Sequence, residues 1–173
     1  EKSVLSVYRD VSEALVMGLR ALGADVALEK TQPNFPSLYR SSSAAACFAS
    51  SARYEIHVAG RKLVGSAQRR FARRDGEEVV LQHGSILLGA DHLRMVDFLK
   101  ALDDDQRLEL KCELQGKTID LASVLDRKVE PEEVVLALKR GFEQAWSINF
   151  SSPGIGEEEE DSFGEESAGV MRK

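Results

Sequence analysis

Two cysteines, one lysine and a run of very small residues are where this 173-residue chain could do chemistry. Lys62 comes just ahead of Gly65-Ser66-Ala67, three consecutive positions with little or no side chain. Small residues weaken a strand, so they mark close approach by a ligand or by another backbone. A cation beside such a bare strip makes a slot for something polar at one end. Cys47 and Cys112 are the possible nucleophiles: a thiolate attacks carbonyls, and a nearby cation favours the thiolate over the thiol. Residue type alone does not choose between them. Cys47 follows a loop of small residues, whereas Cys112 sits in KCEL, which reads as ordinary half-buried alternation. His83-Gly84 adds a ring that either contacts a ligand or hydrogen-bonds across a sheet. Bland readings stand beside each of these: a solvated lysine after a turn, a structural cysteine, a hairpin with a bulge.

The elements that must hold these residues follow from periodicity. Tyr54–Val58 and Lys62–Gln68 alternate around a turn at Ala59-Gly60, the pattern of a half-buried hairpin. Tyr54, Ile56 and Val58 are expected on one face, with Glu55 and His57 on the other. Val4 to Leu22 carries apolar residues at helical spacing, with Ser3 as a cap and Gly23 in the left-handed position after its end. Ala24–Leu28 reads as a short strand. Glu29 to Ala46 is a connection rich in Pro, Ser and Ala that delivers Cys47 to the edge of the hairpin.

Beyond the hairpin, Arg69 to Glu78 reads as a loop turning at Gly76, and Val79–Gln82 and Ser85–Leu88 as strands flanking His83-Gly84. His92–Ala101 is helical by pattern, and Asp103–Leu110 is a charged helix or loop. Thr118 is a plausible cap for Thr118–Leu125. Pro131 suits the first position of a helix through Trp146, with Glu132 and Glu133 in its positive first turn. Ile148–Phe150 is expected to add an edge strand. The fold class is α+β: a mixed sheet built on central hairpins and covered by the first and last long helices.

Composition limits the function further. A hydrophobic content of 43% with 30% charged residues is that of a soluble globular domain. No apolar run approaches the roughly 20 residues of a membrane span, and no secretory signal is recognisable, so the cytoplasm is the expected compartment. Two cysteines without CxxC spacing argue against a disulfide framework or a zinc site. The net charge of −6 is uneven, because seven acids and two bases lie from Ser151 onward, which leaves the body near −1. That end has little to bury and is read as a disordered acidic tail, 151–173. Arg61, Lys62, Arg69, Arg70, Arg73 and Arg74 share a stretch without an acid. Six bases without aromatic interleaving are a poor nucleic-acid footprint.

Several pieces occur in a telling order: ACF at Ala46–Phe48, YE, GRKLVGSAQRR at Gly60–Arg70, and LQHGSILL at Leu81–Leu88. Together with VYRDVSEALVMGLRALGADV upstream and EEVVLALKRGFEQAWSINF downstream, they resemble the lipoate/biotin protein ligase superfamily. The likeness covers Val7 to Phe150 and is closest to octanoyltransferases of the lipoate-protein ligase type.

The resemblance implies a class II aminoacyl-tRNA synthetase/biotin-lipoate ligase-like domain over 1–150. It implies that Cys47 carries an acyl thioester and that Lys62 favours its thiolate and orients the acyl carbonyl. Gly65, Ser66, Ala67, His83 and Gly84 would line the substrate site. The donor would be acyl carrier protein. The acceptor would be a lysine on a lipoyl domain of a 2-oxoacid dehydrogenase complex or on the glycine cleavage H protein. No cofactor or metal is needed for that reaction, whereas a lipoate ligase of the same superfamily would need ATP and Mg²⁺. The family's upstream RRxTGG…H segment is not found here. The expectation is therefore the C-terminal portion of a longer protein or one of two complementing chains, with a non-catalytic partner subunit as a further alternative.

Overall fold

The computed structural model describes residues 4–29, 54–100 and 102–151. The Ser3 cap, Cys47 with most of its preceding connection, and all of the acidic tail beyond Ser151 lie outside the described residues. Helix α1, Val4–Ala21, is followed by β1, Ala27–Leu28. Gly23 takes φ +97° after α1, as its position predicts. The Arg20 guanidinium reaches over this turn to donate to the Val26 carbonyl at 2.9 Å.

Strands β2 (Ile56–Val58), β3 (Arg61–Ala72) and β4 (Glu78–Ile86) complete a four-stranded sheet in the order β1-β2-β3-β4. Its ladders are antiparallel. One isolated parallel bridge, between Lys62 and Thr118, lies beside these ladders, so the sheet itself is antiparallel and not mixed. The alternation predicted for β2 does not appear as written. Tyr54 lies before the strand at φ +69°, and Glu55, Ile56 and His57 are all buried. Both faces of β2 are covered here, so alternation no longer separates inside from outside. A bulge adds to this: His57 pairs with Lys62 and Ile56 with Val64, so Leu63 and Val64 share the space opposite Ile56 and both bury.

The stretch read as a loop, Arg69–Glu78, is largely strand. The ladder runs on through Phe71↔Val79 to Ala72↔Glu78, and the chain turns only at Arg73–Glu77 with Gly76 at φ +85°. A cross-strand pair extends it into solvent, with Arg70 donating to Glu78 at 2.6 Å, and along β3 itself the Arg69 guanidinium lies 4.9 Å from the Phe71 ring centre. For the same reason His83-Gly84 does not interrupt β4, whose ladder continues through both residues.

Ala90–Phe98 forms 3-10 turns rather than an α-helix, and its buried Val96 packs on Leu110 and Leu114. Those leucines belong to α2, Asp104–Lys117, which is capped by Asp103 with Gln106 in a capping box. Cys112 is therefore an exposed helical residue rather than part of a half-buried alternation. Thr118 ends α2 instead of starting the next helix. Asp120 caps α3, Leu121–Leu125, by accepting from Ser123 N–H at 2.9 Å, a role that suits its carboxylate. Pro131 opens α4, Pro131–Trp146, as expected. The predicted edge strand at Ile148–Phe150 is absent. Ser147 turns left-handed at φ +52°, and the N–H groups of Ile148 and Phe150 bond back to Glu143. Among the described residues, no helix is long and apolar enough to cross a membrane.

The main core joins Val16 and Leu19 of α1 to Ile56, Leu63 and Val64 of the sheet, with Leu87, Ile119, Leu121 and Val134. Helices α1 and α4 cross at bare backbone. A Cβ on Gly141 would come within 2.5 Å of the Ala14 carbonyl oxygen and 2.6 Å of Gly18 N. Gly141→Ala should therefore force the helices apart at a cost of about 1–3 kcal/mol. Gly116→Ala, at a helical position with nothing within 4 Å, should instead stabilise by about 0.5–1 kcal/mol. Urea unfolding of the two variants tests this, and equal midpoints would refute the close crossing.

Candidate functional site

Lys62 follows the Ala59-Gly60 turn, where both residues have positive φ (48° and 77°), the geometry of a two-residue hairpin loop that matches strand twist. The turn sets Lys62 opposite His57. On the other side, the Lys62 carbonyl accepts from Ile119 N–H at 3.0 Å, next to the bridge with Thr118. Thr118 is itself fixed, since its hydroxyl donates to the Leu114 carbonyl at 2.6 Å and lies 2.8 Å from His92 Nε2. Lys62 is thus clamped through its backbone from two directions.

Its side chain is not solvated. Lys62 is 3% exposed, and its Nζ lies 2.9 Å from Glu55 Oε1, itself 5% exposed. Removing one member of such a buried pair costs about 3–5 kcal/mol, because the other charge is left uncompensated. Glu55 is the residue that sequence reasoning missed, because the strand face opposite Ile56, to which alternation assigned it, is buried as well. An acid diagonal to a lysine across a two-residue hairpin is the signal that identifies it.

Further polar groups surround this pair. His57 is buried, and neither ring nitrogen closes a well-formed hydrogen bond, with Nδ1 lying 3.8 Å from Glu29 Oε2. Burial pushes its pKa below the ordinary 6.5; Glu29 and Glu55 oppose this, Lys62 adds to it, and a loose contact with the Gly60 backbone opposes it weakly. The Tyr8 phenol donates to the Ser66 carbonyl at 2.9 Å. Burial, reinforced by Glu55, raises its pKa to about 12, so it stays a neutral donor.

The small-residue strip and the His-Gly pair come together on adjacent strands. Gly65 pairs with Ser85, Ser66 with Gly84 and Ala67 with His83. A Cβ on Gly84 would collide with the Gly65 carbonyl and come within 2.9 Å of Ser66 Oγ. Close approach of backbone therefore accounts for Gly84 by itself. His83 and Ala67 are exposed. Among the described residues, β2 pairs with β3 only as far as Val64, which leaves the Gly65–Ala67 edge without a ladder partner on that side. Of the basic stretch, Arg70 is paired with Glu78, and Arg73 lies 3.0 Å from Asp75.

Cys47 lies outside the described residues, so it is not brought to Lys62 here. The chain on either side of its segment is joined: Tyr54 N–H donates to the Glu29 carbonyl and Glu29 N–H to the Glu55 carbonyl, both at 2.8 Å. Among the described residues no cluster of His, Cys, Asp or Glu could hold a metal ion. A surface groove of about 500 Å³ beside Val7, Asp10, Glu13, Ala145 and Trp146 includes none of the candidate residues.

The depressed His57 pKa gives stability a pH dependence of definite sign. The unfolded chain takes up this proton more readily, so the contribution is complete above about pH 6.5 and is lost as pH falls through the lowered folded value. His57→Phe should lose less stability than wild type between neutral pH and pH 5. Urea midpoints across that range measure it, and parallel curves would show that His57 is not the source.

Residues 1–143 match the lipoyl protein ligase A/B catalytic domain. The chain is 38% identical over 143 residues to octanoyltransferase LipM of Kyrpidia tusciae, covering 83% of this chain and 50% of that one. It is 32% identical over 161 residues to octanoyltransferase LipM of Bacillus subtilis, covering 92% and 56%. Among solved structures, a bi-partite lipoate protein ligase of Thermoplasma acidophilum superimposes with a TM-score of 0.62 at 21% identity, covering 88% and 49%. A lipoate-protein ligase A bound with ATP gives 0.58 at 22% identity, covering 88% and 50%. The chain spans about half the length of these curated relatives. The match over residues 1–143 and the shared fold make this chain a member of the lipoyl protein ligase A/B catalytic domain family.

Proposed function

We propose that this chain carries the acyl-transfer residues of an octanoyltransferase. In this reading it moves an octanoyl group from acyl carrier protein, through a thioester on Cys47, to the lysine of a lipoyl carrier domain. The observation that carries it is Lys62, a buried ammonium at the head of the Gly65–Ala67 strip, in a chain whose relatives include octanoyltransferases. The joined ends of the segment that bears Cys47, beside Glu55, support it further.

In the first step the Cys47 thiolate attacks the octanoyl carbonyl, and the carrier's C–S bond breaks as its thiol leaves with a proton. In the second, the neutral acceptor amine attacks the Cys47 thioester. The amide forms, the amine proton leaves, and the cysteine sulfur returns. Both steps develop negative charge on the carbonyl oxygen. A fixed ammonium stabilises that charge more in a dry site than it would in water. Amide formation from a thioester is downhill, so this route consumes no ATP. Ser66 N–H, on the same strand edge as the carbonyl that Tyr8 engages, would serve this reading as a second donor. The exposed Arg69 and Arg74 would speed encounter with acidic carriers more than they would tighten the complex. A cytoplasmic location suits these partners.

Intact mass of the native protein mixed with octanoyl-acyl carrier protein, without ATP, tests the proposal. The expected result is one octanoyl adduct that hydroxylamine removes and that Cys47→Ala does not form. Modification that appears only with octanoate and ATP would replace this reading with a ligase. Lys62→Met should slow adduct formation by on the order of 10²–10³, with a thermal melt on the same sample to confirm folding. A rate within twofold of wild type would remove Lys62 from the chemistry.

A further inference from the structure

We propose that Glu55 is a positioning residue for acyl transfer, the carboxylate that holds the Lys62 ammonium charged and aimed inside the protein. This rests on the reading of Lys62 given above. Two side chains, 3% and 5% exposed, meet at 2.9 Å. A well-packed apolar pair of similar size would serve the core at least as well, since desolvating two charges offsets most of their attraction. Stability alone therefore gives no reason for this pair at this point in the sheet. A requirement for a lysine that is both dry and charged does.

The surroundings define how the ammonium is held. Its backbone is clamped between His57 and Thr118, so its aim is left to the side chain, and Glu55 is the carboxylate that receives it. Among the described residues, the groups facing the pair include His57 from β2, with Glu29 beyond it at 3.8 Å, and Tyr8 from α1, whose phenol sits close enough to Glu55 to feel its charge. His57 is neutral at neutral pH because burial disfavours its cation, and the Tyr8 phenol is neutral as well. Among the described residues, Glu55 is thus a carboxylate in direct contact with Lys62, while Glu29 stands behind His57 and is a quarter exposed. Neither step of the acyl transfer calls for Glu55 to touch substrate; it acts through Lys62.

The test is single-turnover acylation of the native protein by octanoyl-acyl carrier protein, followed by intact mass, with thermal melts of every variant. Glu55→Gln keeps the shape and removes the charge. It should lower the acylation rate constant at saturating donor by on the order of 10- to 100-fold, the cost of an ångström-scale misplacement, while the donor concentration at half-maximal rate stays within about twofold. Glu55→Asp should recover most of that rate. The double variant Glu55→Leu/Lys62→Met should melt near wild type yet acylate no faster than Lys62→Met alone, which separates the pair's chemistry from its packing. The inference is overturned if folded Glu55→Gln acylates at the wild-type rate, or if its loss only follows its folded fraction. The wild-type sample judges the octanoyltransferase reading separately. An adduct that needs octanoate and ATP sinks that reading, and the Glu55→Gln ratio is then taken from the ATP-dependent reaction. Silence of wild type under both conditions overturns both.

Discussion

A charge removed from water must be met by another charge. Most of the organisation around Lys62 follows from that requirement. The ammonium lies in the sheet with Glu55 against it, and the two strands that carry them are held by a tight turn. Around the pair the protein places neutral or neutralised groups: an imidazole discharged by burial and a phenol kept protonated. A further, unpaired charge in this volume would oppose folding. The site is therefore a local solution to desolvation as well as an arrangement suited to an acyl oxyanion.

The rest of the fold supports that solution from a distance. The crossing of α1 and α4 at Gly18 and Gly141 brings two backbones nearly into contact, and α1 also sets Tyr8 on the Ser66 carbonyl. The Thr118–Leu121 segment reaches the sheet at Lys62 and Leu87, tying the second half of the chain to the first. The helix crossing and the links at Lys62 and Leu87 are contacts of backbone with backbone. They tolerate little change in size at the glycines and considerable change in the side chains around them.

How far the sequence was legible depended on whether the deciding contact was local. The Ala59-Gly60 turn, Gly23 after α1 and Pro131 before α4 each act within a few residues, and each could be read from residue type. The alignment of Gly65–Ala67 with His83-Gly84 was not legible, because register is set by the opposing strand and not by residue type. Glu55 was misread because alternation assigns a face without saying that both faces are covered. The outer half of β3 and β4 looked like a charged loop, since its pairs, such as Arg70 with Glu78, are visible only once the strands are opposed. Ile148–Phe150 has strand composition, yet Glu143 captures its N–H groups from the preceding helix. Cys47 was singled out by its setting and by family likeness, and it stands outside the described residues.

Strand β3 begins inside the core at Leu63 and Val64, both nearly inaccessible, and ends in solvent, where Phe71 is 41% exposed. One continuous run of twelve residues thus passes from the most protected part of the molecule to its surface. Opening free energy should rise along it from tip to base, because the outer pairs have only β4 behind them while the inner ones have the whole core. Lys62 sits at the slow end. The arm beyond Gln68 can breathe many times while the amides around Lys62 stay shut, so the strand keeps two clocks: a fast one at the exposed tip, and a slow one where the charge is held.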